Sequence, residues 1–292
     1  MKIQFLLVPY DSGRREWRMG RGPSYLLKHG VGSGIRALGH EVDAEYVEPG
    51  GVQSPNPPAS TEIATSFSLY SQLARRVREL RSEGTLPIVL GGNCGVTLGT
   101  VAGALSGDAR EIGVLWLDAH GDFNTPESTA SGFLDGMSLA VLTGRCWTTL
   151  AGSIPGFTSV PDANVVLAGM RDVDAAEELL IEDSEIVVVR GPSVREAGVE
   201  AALAPALDEL RRRVRHLHFH LDADVIDAEE ARANMFAAAG GLTIEQLTEV
   251  ARLAASRFEI VSIAVTAYDP AIDTDGRVPA AIGGAVEALL TR

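Results

Sequence analysis

Short apolar runs alternate with amphipathic stretches along the whole chain. The runs at 3–8, 41–47, 87–90, 112–117, 164–167, 185–189, 216–221 and 260–265 have strand length and are rich in Val, Ile and Leu. Between them, apolar residues recur at helical spacing, most clearly over 62–82, 199–215, 243–257 and 280–290. Eight strands separated by helix-length segments predict an α/β fold with a mainly parallel sheet covered on both faces. The Pro- and Ser-rich stretch 50–60 reads as a surface loop rather than a linker, and no repeat divides the chain, so 1–292 reads as one domain.

The formal net charge of −14 argues against a nucleic-acid partner and against an anionic membrane surface. The one basic cluster, Arg211, Arg212, Arg213 and Arg215, sits at a predicted helix C-terminus, where cations favour the helix dipole. Two cysteines, Cys94 and Cys146, are too few for a disulfide framework. The first residues lack a secretory leader pattern, and no apolar run approaches the roughly 18 residues that span a membrane. A cytoplasmic location is the expectation.

The chemistry concentrates where two strands end. The run Trp116-Leu117-Asp118-Ala119-His120-Gly121-Asp122 is an apolar strand closing on two carboxylates and an imidazole. About a hundred residues later a second strand runs into Asp222-Ala223-Asp224. Buried carboxylates without a counter-charge cost several kcal/mol or take up a proton, so a divalent cation is the natural resolution. Ligands of open parallel sheets bind beyond the carboxyl ends of the strands, and Gly91-Gly92-Asn93-Cys94 falls at that edge too. Asp118 and Asp222 come from different strands and each has a further ligand type two residues on, which suits carboxylates bridging two ions. A donor set of carboxylates with an imidazole suits Mn²⁺ or Mg²⁺. Two such ions about 3.5–4 Å apart make a hydroxide from bridging water near neutral pH, which points to hydrolysis. His216, His218 and His220 alternate on the second strand, on the face of Asp222 and opposite Leu217, Phe219 and Leu221. Ordinary satisfaction by neighbours or a subunit contact accounts for such a ladder.

These motifs, in this order across nearly the whole chain, resemble the ureohydrolase superfamily of arginases, agmatinases and formiminoglutamases. Gly20-Arg21-Gly22-Pro23 is similar to its N-terminal element, Gly91 to Cys94 to its first metal loop, Asp118 to Asp122 to the second, and Asp222 to Asp224 to the third. The resemblance implies a three-layer α/β/α sandwich, a binuclear manganese site (two Mn²⁺ per chain) and a homo-oligomer, a trimer or hexamer. Asp122 with Cys94 would complete one metal position and His120 with Asp224 the other. Within the superfamily the match leans to arginases. Asn124 and Ser131 resemble the loop that holds a substrate α-carboxylate, and Asp174 with Glu177 the segment that receives an α-ammonium. Short neutral donors for a carboxylate and acidic acceptors for an ammonium agree with that assignment.

Three positions depart from the family pattern. Asn93-Cys94 stands where Asp-His is usual, so Cys94 is either a soft ligand or simply a small buried residue. Asp135 replaces a histidine that would shuttle protons, leaving Asp122 and Asp135 as the carboxyl groups for acid–base work. Asp269 is the only acid close before Pro270, where a Glu would pair with the guanidinium. His220 also stands where relatives have a small residue. The departures weaken recognition and protonation of a strongly basic guanidinium while sparing the amino-acid end. They favour Nω-hydroxy-L-arginine, whose guanidine is less basic than one titrating above about 12, over L-arginine. In this reading a metal-bridging hydroxide attacks the guanidine carbon, giving ornithine and a urea derivative. An agmatinase or formiminoglutamase activity, or a degenerate non-catalytic protein on the same fold, is the alternative.

Overall fold

All eight apolar runs are strands of one sheet in the structure, a computed structural model that describes residues 1–50, 60–105 and 111–291. The strands are β1 (Lys2–Val8), β2 (Glu41–Tyr46), β3 (Leu86–Gly91), β4 (Ile112–Leu117), β5 (Val165–Ala168), β6 (Val187–Val189), β7 (His216–Asp222) and β8 (Glu259–Thr266). They pair in parallel in the order β2-β1-β3-β8-β7-β4-β5-β6. The expected loop at 50–60 falls almost wholly on residues 51–59, outside the described residues. No helix among the described residues is long and apolar enough to cross a membrane.

Parallel strands need crossovers, and the longer helices supply most of them: α1 (Ser60–Ser82), α2 (Val96–Ala104), α3 (Ala175–Glu182), α4 (Val199–Arg213) and α5 (Ile244–Arg257), while α6 (Val278–Leu290) follows the last strand. Successive strand residues face opposite ways, and the core divides accordingly. Phe5, Leu7, Leu115 and Leu117 pack with Leu203 and Leu207 of α4, Val250 of α5 and Ile282 of α6. Leu6, Val8, Val114 and Trp116 pack with Leu73 and Val77 of α1 and Val101 of α2. Helices therefore cover both faces, as the apolar pattern required.

Local signals fix individual elements. Thr243 caps α5 in a reciprocal box: its hydroxyl accepts from Gln246 N at 3.0 Å and the Gln246 side chain accepts from Thr243 N at 3.1 Å. No helical stripe marks α2 in the sequence, because nearly all its residues are buried, Thr97 and Thr100 included. Gly99 and Gly103 let α2 lie directly on α1. A Cβ at either would sit 2.3 Å from Tyr70 O or 2.6 Å from Ala74 O. This close packing sets α2, and with it Thr97, hard against the sheet.

The register then places the chemistry. Leu117 of β4 pairs with Leu221 of β7, so Asp118 and Asp222 leave the sheet side by side. Thr266 of β8 pairs with Asp222 on the other flank. Behind this edge His218 and His220 of the histidine ladder are buried, with His216 half-exposed: His218 Nδ1 meets Ser262 Oγ at 2.8 Å, and burial pushes its imidazole down to about 3. The neutral ring stabilises the fold at neutral pH. The unfolded chain takes up its proton near pH 6.5 and the folded chain does not, so stability is lost as pH falls from about 6.5 toward 3. A His218→Leu variant is expected to lose less stability than the wild type between pH 7 and 5. An equal loss of unfolding free energy between pH 7 and 5 in urea titrations of the two proteins would contradict this.

Candidate metal centre

Asp118 caps the end of β4. Its carboxylate accepts from Trp116 Nε1 at 3.0 Å and from the His120 backbone N–H at 2.8 Å. The tight turn this creates brings the His120 ring back, with Nδ1 3.2 Å from Asp118 Oδ1 and 3.6 Å from Asp224 Oδ2. Asp224 leaves β7 through an equivalent turn in which its N–H donates to Asp222 Oδ1 at 2.8 Å. The two turns are tied together by Ala119 N donating to Asp224 Oδ1 at 3.3 Å. One oxygen or nitrogen from each of Asp118, His120 and Asp224 falls within a sphere that a single cation can fill.

The neighbouring loops complete the edge. Cys94 is buried, and its thiol donates to Asp222 Oδ2 at 3.0 Å. Asp122 is buried in a left-handed conformation at φ 49°, and its Oδ2 has no hydrogen-bond partner among the described residues. Burial pushes Asp122 well up, and Asp118, Asp135, Glu177 and Asp224 push it further. Burial, with Asp224 and Asp118, likewise holds Asp222 well above the usual carboxylate range. Asp118 is raised by burial and by Asp224, partly offset by His120. Asp224 alone runs the other way: burial would raise it, but His120, Asp222 and Asn234 bring it below the usual value. Burial would lower His120, yet Asp224 and Asp118 carry it up to about 10. This is a negative cluster held together by one imidazolium. The orphaned Asp122 oxygen and the oxygen-rich donor set both fit a hard divalent cation.

A cavity of about 250 Å³ opens over this cluster. It is lined by His120, Asp122, Asp222 and Asp224, and further out by Asn124, Ser131, Asp135, Asp174 and Glu177. Asn124 Oδ1 is engaged by Ser128 Oγ at 2.8 Å, which leaves the amide N–H groups as its outward donors. Ser131 Oγ accepts from Phe133 N at 3.2 Å and keeps its own proton to donate. Asp174 occupies the N-cap position of α3 without spending its carboxylate on capping. Glu177 accepts from Phe123 N at 2.7 Å.

Asp135 and Asp269 differ from expectation in instructive ways. Asp135 lines the cavity, but its carboxylate also accepts from Asn93 Nδ2 at 2.9 Å and Gly95 N at 3.0 Å. Two of the three departures therefore touch each other, and Asp135 braces the loop that carries Cys94. Burial raises Asp135, N–H donors pull it back, and it settles at about 7. Asp269 is not brought to the cavity. It accepts from Ala271 N at 3.0 Å and lies 3.8 Å from the Arg21 guanidinium, while Ala267, at φ 60°, forms the cavity wall instead. The left-handed turn at Ala267 redirects the chain, so an acid two residues later points elsewhere.

Several supporting residues carried no recognisable sequence signal. Asn234 donates to Asp224 Oδ2 at 3.0 Å and to Ala267 O at 2.7 Å, joining two walls of the cavity. Phe133 and Phe236 stand at the rim with ring centroids 5.8 Å apart. Arg171 spends its guanidinium on carbonyls of Gly169, Asp224, Ile226, Ala238 and Ala239, pinning the third loop from below. Gly92 sits so close to the N-terminal segment that a Cβ would lie 2.2 Å from Tyr10 O.

With this geometry in view, comparisons place the chain among known proteins. The Arginase family profile matches residues 1–290. An arginase of Brucella melitensis biotype 1 is 31% identical over 300 residues, covering 100% of this chain and 96% of that protein. The native arginase structure from Bacillus caldovelox superposes with a TM-score of 0.89 at 25% identity, covering 100% of this chain and 98% of that one. Formimidoylglutamase from Bacillus subtilis shares the fold at a TM-score of 0.76 and 16% identity, covering 99% of this chain and 87% of that one.

Mn²⁺ added to metal-stripped protein at a hundredfold excess over its Kd is expected to stabilise the fold by about 2.7 kcal/mol. That corresponds to a rise of roughly 5 °C in the melting temperature. Asp118→Asn and Asp224→Asn should each remove most of that rise. A melting curve indifferent to Mn²⁺, Mg²⁺ and Co²⁺ alike would count against a metal centre.

Proposed function

The chain belongs to the arginase family, and on that premise we propose that it is a metal-dependent hydrolase of a guanidino α-amino acid, acting on Nω-hydroxy-L-arginine in preference to L-arginine. The observation that carries the reading is the polarity of the cavity. Acids and His120 form its floor, neutral donors and further acids its rim, and among the described residues no carboxylate side chain replaces Ala267 at its wall.

Bound divalent cations, Mn²⁺ on the carboxylate-rich side, would supply Lewis-acid polarisation and an activated water. The protein supplies the rest. Asn124 Nδ2 and the Ser131 hydroxyl can donate to an α-carboxylate, while Asp174 and Glu177 can accept from an α-ammonium. Fixing both charged groups of the α-carbon would direct the guanidine toward Asp118, Asp222 and Asp224 and supply part of the barrier reduction through orientation. Asp122 keeps Oδ2 unpartnered at the cavity, so that oxygen can accept a proton and pass it to the leaving nitrogen. Asp135, poised at about 7, can exchange that proton with solvent from the cavity side.

Without an acid on the Ala267 wall, the site has less to offer a fully charged guanidinium. A desolvated ion pair of that kind is worth a few kcal/mol. A less basic N-hydroxyguanidine depends on it less. The same reading keeps the protein a cytoplasmic homo-oligomer.

Ornithine release by the metal-loaded enzyme is expected to have a higher kcat/KM with Nω-hydroxy-L-arginine than with L-arginine. Agmatine, which has no carboxylate for Asn124 and Ser131, should be turned over poorly. Asn124→Ala should raise KM for the amino acid roughly tenfold, the loss of one hydrogen bond to a charged group. Much faster ornithine release from L-arginine would reject the substrate preference, and no turnover of either amino acid would reject the hydrolase reading.

A further inference from the structure

The histidine ladder of β7 contains a ring that the carboxylate site leaves unused. His220 is fully buried and stacks on the Trp116 indole, centroids 3.7 Å apart and planes 17° from parallel. Its Nδ1 lies 2.7 Å from Thr97 Oγ1 at the start of α2, and its Nε2 has no partner among the described residues. A buried ring nitrogen without a partner is costly and calls for a reason. One stands next to it. A His220 ring nitrogen, the Cys94 sulfur and an Asp118 carboxylate oxygen lie within 4.8 Å of one another. Ligands bonded to one cation at about 2.0–2.3 Å are separated by distances of this order. His218 provides the contrast: its Nε2 is also unpartnered, but it joins no such group among the described residues.

We propose that Cys94, His220 and Asp118 hold a second divalent cation, and that this position takes a borderline ion such as Zn²⁺ or Co²⁺ where the Asp118, His120 and Asp224 position takes a hard one. The proposal rests on reading this edge as a metal centre, and it extends that reading to a residue outside the expected ligand set. Sulfur and imidazole donors select borderline metals, carboxylates hard ones, and Asp118 belongs to both groups. Thr97 is the positioning residue. With Nδ1–H donated to its hydroxyl, Nε2 carries the lone pair a cation requires, and the Trp116 ring fixes the plane of the imidazole. As the sulfur–metal bond forms, the thiol proton leaves to solvent.

Titration of the metal-stripped full-length protein with Co²⁺, followed by absorption and by metal counting, tests the assignment. The wild type should bind two equivalents per chain, one of them with a thiolate-to-cobalt charge-transfer band in the near ultraviolet. Cys94→Ser should abolish the band, and His220→Asn should weaken that equivalent at least tenfold. Thr97→Val, which leaves every ligand in place, should weaken it roughly 10–100-fold. His120→Ala should lose the other equivalent and keep the band. A wild-type protein that binds Co²⁺ without the band overturns the proposal whatever the variants do, as does a folded His220→Asn protein with unchanged affinity and spectrum. The band together with no turnover of any guanidino amino acid would reject the hydrolase reading and leave the ligand assignment standing; turnover without the band would do the reverse.

Discussion

Carboxylates crowded at the ends of two buried strands cannot share that space as anions without positive charge, and this constraint organises the molecule. Two unit charges about 4 Å apart repel by roughly 4 kcal/mol at an effective dielectric near 20. Asp118, Asp122, Asp222 and Asp224 are all buried at one edge, and His120 is the cation that touches two of them. The Arg171 guanidinium is close at hand, but its hydrogen bonds go to backbone carbonyls. It stabilises the loop and leaves the carboxylates free. Apart from His120, which must give up its proton to bind a metal, these residues bring no counter-charge of their own to the carboxylates, which is what a cation-binding edge requires.

The scaffold carries strain to hold that arrangement. Asp122 and Ala267 both line the cavity and both adopt left-handed backbone conformations, at φ 49° and 60°. Non-glycine residues held this way cost about 1 kcal/mol or more each, offset by surrounding packing. The turn at Asp122 lets its carbonyl accept from Leu139 N and Ala140 N, while the side chain faces the cavity. Strain, orphaned polar atoms and crowded charge fall on the same few residues.

Most of the fold could be read from the sequence, because parallel strands buried on both faces are continuous apolar runs. All eight runs became strands, and three metal-loop segments met at one edge. What escaped was carried by contacts that pattern cannot express. α2 is buried along nearly all its residues, so nothing marked it as a helix, and Thr97 was therefore invisible as a partner for His220. Asn234 is one polar residue in an irregular loop, yet it bonds both Asp224 and Ala267. Asp269 was placed by its distance from Pro270, and a single left-handed residue upstream sent it toward Arg21. His220 shows the limit most clearly: period two gave its face, but only the packing of α2 and Trp116 explains why one nitrogen is left without a partner.

Asn93 and Asp135 are distant in the sequence and joined in space. The Asn93 amide donates to Asp135 and lies 3.5 Å from Asp11, so it puts an uncharged donor between two carboxylates. An aspartate at position 93 alone would set carboxylates against each other on two sides. A histidine at position 135 alone would remove the acceptor that holds Asn93 and Gly95. The two positions form one structural unit, and changing either alone removes a contact that holds the first loop.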